Sequence, residues 1–164
     1  MNKRQHSAHP LLCRAPSQHE HYDRILERIQ EHPEEARQEA NADTTSSTLP
    51  LPLLLKSDPP LEVVTKLVEA YPEAVYEENG QGYLPLHVAL RYGTNVEVVK
   101  FLIDQNPQAV HRSAQGYFSW NLPELAHYLW SGGQGMSCTD MVKALPEDHP
   151  HRAALLELIE NKNF

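Results

Sequence analysis

The sequence predicts an all-α solenoid of short helix–turn–helix units joined by finger-like loops. Three observations carry that prediction. One stretch of the chain repeats itself at a fixed spacing, each copy holds two apolar stripes of helical period, and prolines and a glycine fall where such helices begin and end.

The repeat is visible when "LPLPLLLKSDPPLEVVTKLVEAYPEAV" (49–75) is set over "LPLHVALRYGTNVEVVKFLIDQNPQAV" (84–110). The offset is a constant 35 residues without a gap, and 11 of the 27 aligned positions are identical, among them Leu49/Leu84, Pro50/Pro85, Leu55/Leu90, Val63/Val98 and Pro72/Pro107. A fixed period in this range marks an array in which each unit buries its apolar face on its neighbours.

Within a unit, Pro50 or Pro85 suits the first turn of a helix, where a backbone N–H has no partner to lose. Leu86, Ala89 and Leu90 follow at i, i+3, i+4 spacing, so one face of that helix is apolar. Gly93 ends it, because glycine accepts the positive φ of a C-terminal turn. Thr94 or Asn95 can cap the second helix, which runs to about Gln105 with Val98, Val99, Leu102 and Ile103 on one face. Pro107 closes the unit. Between units, "YEENGQGY" holds Asn79-Gly80 and Gly82, the composition of a tight turn.

These residues resemble the ankyrin repeat family. "GQGYLPLHVALRYG" is similar to that family's G-x-T-P-L-H-x-A-x-x-x-G, followed by its V-E-V-V-K-x-L-I second helix; Leu84 replaces the threonine, and the period is 35 where the family uses about 33. The resemblance implies a curved stack whose fingers and inner helices form a concave protein-binding face. It implies structural work for Pro85, Leu86, His87, Ala89 and Gly93, with His87 hydrogen-bonding neighbouring backbone. Pro52 stands at the histidine position of the preceding unit, so that bond is absent there.

The flanks extend the pattern. Residues 1–18 read as a flexible basic arm and 19–164 as the repeat domain. "YDRILERIQEHPEEA", with Ile25, Leu26 and Ile29, echoes a second helix and its "YPEAV" and reads as an N-terminal half-repeat. Residues 111–134 break the pattern and read as a truncated repeat or an insertion. Residues 135–161 read as a C-terminal cap: "GMSCTDMVKAL" supplies a first helix with Cys138 at a buried position, and Asp148 can cap a second with Leu155, Leu156 and Ile159 facing inward.

Charge narrows the partners. The net charge is −8; residues 1–16 carry Lys3, Arg4 and Arg14 and no acid, which leaves −11 on the rest. Such a surface repels phosphate backbones, so nucleic acid is not the expected partner. No run approaches the ~18 apolar residues of a membrane span, and Leu11-Leu12 is no signal-peptide core. Cys13 and Cys138 make neither a disulfide framework nor a metal spacing. The cytoplasm or nucleus is the expected compartment.

No nucleophile elbow, phosphate loop or zinc-protease motif occurs. "SGGQGMS" (131–137) lacks the lysine and strand-to-helix setting of a phosphate loop. His6, His9, His19 and His21 have no cysteine or acid at ligand spacing and read as a solvated arm; no metal or cofactor is expected. The leading expectation is a non-catalytic scaffold that binds another protein. It is a monomer in that reading, with self-association through its end repeats as the exception. Through the resemblance, Glu78, Asn79, Gln81, Arg112 and Gln115 on the fingers, with Arg91 and Tyr92 on the first helix, line the binding face. Tyr117, Trp120 and Trp130 are candidates because aromatics concentrate at binding hot spots; they equally fill a core gap. The alternative is a small enzyme or metal protein with its site in 111–138, built on Cys138 and His127.

Overall fold

The computed structural model describes residues 18–38, 49–79, 82–113 and 135–161. Among them every regular element is helical: α1 (Gln18–Glu31), α2 (Pro50–Leu54), α3 (Leu61–Ala70), α4 (Pro85–Tyr92), α5 (Val96–Gln105), α6 (Cys138–Lys143) and α7 (Arg152–Asn161), with 3-10 turns at Pro33–Arg37, Leu55–Ser57, Pro72–Val75 and Pro107–His111. The expected all-α class holds for the described residues.

The helices form two rows. α2, α4 and α6 pack in sequence as one row, and α1, α3, α5 and α7 as the other, while α2 pairs with α3, α4 with α5 and α6 with α7. Sequence pattern dictates which faces meet. α3 buries Val63, Val64, Leu67 and Val68, and α5 buries Val98, Val99, Leu102 and Ile103, the repeat equivalents of those four. α4 is buried at every position from Pro85 to Leu90 because it is flanked by a first helix on either side and by α5 behind. Leu51, Leu55, Ala89 and Leu90 are fully buried. Each such leucine removed from water contributes roughly 1.5–3 kcal/mol.

Proline starts α2 and α4 at their first residues. The turns that end the first helices use left-handed backbone in both units: Gly93 at φ 65° and, 35 residues earlier, Asp58 at φ 49°. Asp58 tolerates this strained region because its Oδ1 accepts from the Asn95 backbone N–H at 2.8 Å, a bond to the next unit. Asn95, not Thr94, caps α5, accepting from Glu97 N at 2.9 Å. Thr94 is instead buried and donates to Leu55 O at 2.9 Å. Asn106 Nδ2 donates to Val75 O at 3.1 Å, so both ends of α5 are tied to the preceding unit.

The first-helix caps Leu49, Leu84 and Ser137 are spaced by 35 and then by 53 residues, 18 beyond the repeat length. Yet α6 packs on α4 as α4 packs on α2. The Leu84–Ser137 spacing thus exceeds one repeat by 18 residues, and residues 114–134 lie outside the described residues. The 135–161 unit departs from the two before it. Lys143 is exposed at the sixth helical position, where Leu55 and Leu90 are 0% exposed. α7 buries only Leu155 and Ile159, and Leu156 is half-buried.

Two boundaries differ from expectation. α1 already includes Gln18, one residue into the assigned arm. Asp148 does not cap α7, which starts at Arg152 after turns closed by His149 N to Pro146 O and Arg152 N to His149 O. Pro150 is the reason, since the residue before a proline is pushed out of helical backbone. The cap signal that does operate in this unit was missed: Ser137 Oγ accepts from Asp140 N at 3.2 Å while Asp140 Oδ2 accepts from Ser137 N at 3.2 Å. "S-C-T-D" is a capping-box pattern legible in sequence.

Candidate protein-binding face

The face is built from the C-terminal turns of the first helices and the loops that precede them. At α4 the apolar run that faces the core gives way to Arg91 and Tyr92 at its outer end. Tyr92 is 47% exposed, and Lys56 Nζ of the preceding unit lies 5.9 Å from its ring centroid. Arg91 is half-buried; its Nη1 donates to Tyr83 Oη at 3.2 Å and its guanidinium sits 5.5 Å from the Tyr83 ring centroid. Tyr83 itself is fully buried, and that burial raises its phenol pKa. Lys56 was missed in sequence, although it occupies the repeat position of Arg91, 35 residues earlier.

The finger is held rigid from within. Asn79 N donates to Tyr83 O at 2.9 Å, Gly82 N to Asn79 O at 2.8 Å, and Asn79 Oδ1 accepts from Tyr83 N at 3.0 Å. Gly82 takes φ 77° to close this loop. Asn79, expected to contact a partner, also shapes the loop, since its side-chain oxygen accepts from Tyr83 N. Glu78 and Arg112, both exposed, form an ion pair between successive fingers. An exposed pair of this kind is worth only about 0–1 kcal/mol, but it fixes the spacing of the two fingers. Gln81, Gln115, Tyr117, Trp120 and Trp130 lie outside the described residues, as do His127 and the other residues of 114–134.

His87 is the structural keystone of this end. It is 1% exposed, and its Nδ1 accepts from Leu84 N at 3.3 Å. That bond requires a bare Nδ1, so the proton is on Nε2, which donates to Arg112 O at 2.9 Å and to Ala109 O at 3.3 Å. One imidazole thus satisfies a helix N-terminus and anchors the strand of chain leaving the next 3-10 turn. Burial lowers its pKa, which keeps the ring neutral. At the equivalent place in the preceding unit, Pro52 is buried and supplies no such bond.

The alternative enzyme site fares differently. Cys138 is buried, its thiol donates weakly to Ala109 O at 3.8 Å, and burial pushes its pKa up to about 12. A thiol held protonated is not a nucleophile. Among the described residues no group of three or more His, Cys, Asp and Glu is arranged to hold a metal ion, and no helix is long and apolar enough to cross a membrane.

No protein-family model, no curated protein and no solved structure matches this chain.

Proposed function

We propose that this chain is an ankyrin-type repeat module that binds a partner protein, without catalysis, through its first-helix row and fingers. The observation that carries the reading is the placement of Tyr92, Arg91 and Lys56 together at the outer edge of that row, with an aromatic ring left open to solvent. Elsewhere on α4 the apolar side chains are buried, so Tyr92 is not forced outward by a shortage of core. Aromatic and arginine side chains supply much of the energy at protein interfaces.

The mechanism is pre-organisation. Asn79 locks the finger, His87 locks the root of the next one, and Arg91 is braced on Tyr83. A partner meeting such a face costs the module little ordering entropy.

The test compares affinity capture by wild type, by Arg91→Glu/Tyr92→Ala and by Lys100→Glu on the second-helix row, after circular dichroism shows equal folding. A partner retained by wild type and Lys100→Glu but lost from the double variant is the expected result. Equal retention by all three would remove this face from the reading.

A further inference from the structure

Charge is sorted between the two rows. The second-helix row presents exposed Glu27, Glu62, Glu69, Glu97, Asp104 and Glu157, against fewer cations. On the first-helix row, residues 49–57, 84–92 and 137–145, the charged side chains with solvent exposure are Lys56, Arg91, Lys143 and Asp140. Asp140 is committed to its own helix start, accepting from Ser137 N and Ser137 Oγ at 3.2 and 2.7 Å. Of the acids that border the first two units of this row, Asp58 Oδ1 accepts from Asn95 N and Glu78 is paired with Arg112, while Glu147 and Asp148 are exposed in the turn beyond α6. In a chain of net charge −8, the first-helix row of the described residues is thus predominantly cationic, with the Tyr92 ring beside Lys56 and next in sequence to Arg91.

Resting on the proposed binding function, we infer that the occupant of this row is an acidic protein segment that carries an apolar or aromatic side chain beside its carboxylates. Lys56 and Arg91 stand at the same position of successive units, so they meet carboxylates spaced along one extended or helical segment, while the exposed Tyr92 ring takes the apolar group between them. Lys56 has no carboxylate within ion-pair distance among the described residues, so its charge is available. Complementarity of this kind sets partner choice and approach more than total affinity. The acidic second-helix row repels the same partner, so docking is confined to one side. A nucleic acid is disfavoured, since so few cations cannot offset repulsion of a long polyanion by the whole molecule.

The experiment is a selection of short random peptides displayed on phage, panned on the full chain and counter-panned on Lys56→Glu/Arg91→Glu, both checked by circular dichroism. The best binder is then synthesised with a fluorophore and titrated by anisotropy. The expected peptides are rich in Asp and Glu around an aromatic or leucine. Their binding weakens about tenfold or more on the charge-reversed variant, and weakens with rising salt. Neutral or basic peptides that still depend on Lys56 and Arg91 would overturn the acidic occupant while leaving the binding function standing. Peptides indifferent to the variant, or none enriched over it, would overturn both. Concentration-dependent dimerisation abolished by Lys56→Glu would also overturn the inference, because a second copy would then be the occupant.

Discussion

Replacing Gly93 by alanine probes the contact on which the third unit depends. Gly93 has φ 65°, and a Cβ built on it overlaps the imidazole ring of His149. Two costs follow. Left-handed backbone costs an L-residue roughly 1–2 kcal/mol. Overpacking against a ring that cannot easily withdraw adds about 1–3 kcal/mol; the ring is restrained because its Nδ1 accepts from His151 N at 3.3 Å. The expected loss is therefore about 2–5 kcal/mol, a large share of a domain's net stability. Urea unfolding of wild type, Gly93→Ala, His149→Ala and the double variant separates the two terms. His149→Ala should relieve the overlap but not the backbone strain, so the double variant should be more stable than additivity allows, by about 1–3 kcal/mol. If the single variant costs only the backbone term and the cycle is additive, His149 does not lie on the Gly93 turn. The direct stacking of the 135–161 unit on α4 and α5 would then be wrong.

His87→Leu should lose about 1–3 kcal/mol by stranding the buried Leu84 N–H, read by the same unfolding assay. Burial depresses the His87 pKa, so the unfolded chain takes up a proton first as pH falls. Stability is full above the ordinary histidine value of about 6.5 and is lost as pH drops through the folded value; His87→Leu should flatten that part of the profile, and an unchanged slope would contradict the bonding described. In a Cys13→Ser background, Cys138 should resist a thiol reagent until denaturant exposes it; fast labelling of the native protein would contradict its burial. Deleting residues 117–134 restores a 35-residue spacing between Leu84 and Ser137. The shortened chain should still unfold in one cooperative transition, whereas loss of the transition would show that the deleted residues are part of the core.

Legibility followed the source of each element's stability. α3, α4 and α5 were readable because their apolar residues recur at helical spacing and recur again 35 residues on, two independent signals for one fact. The start of α7 was not, because Asp148 is a good capping residue with a proline two positions later, and the proline prevails. The part Asn79 plays in shaping its loop was not legible, because sequence shows a polar finger residue but not that its side chain turns back to Tyr83 N. Lys56 was overlooked for a similar reason. Only the stacking of one unit on the next brings its ammonium to the Tyr92 ring.

A stack of this kind tolerates a longer connection between two of its units. In a stack, a unit answers only to its neighbours. Among the described residues, α6 packs on α4 and α7 on α5, and Cys138 Sγ donates weakly to Ala109 O. The 18 residues by which the Leu84–Ser137 spacing exceeds one repeat are compatible with that stacking, because the closure entropy of a connection grows only with the logarithm of its length. The chain ahead of them is held in place: Arg112 pairs with Glu78, and its carbonyl accepts from His87. Within α4 the constraint from neighbouring units also varies: Leu90 is held by the core, whereas Arg91 and Tyr92, one and two residues further on, are half-buried and exposed.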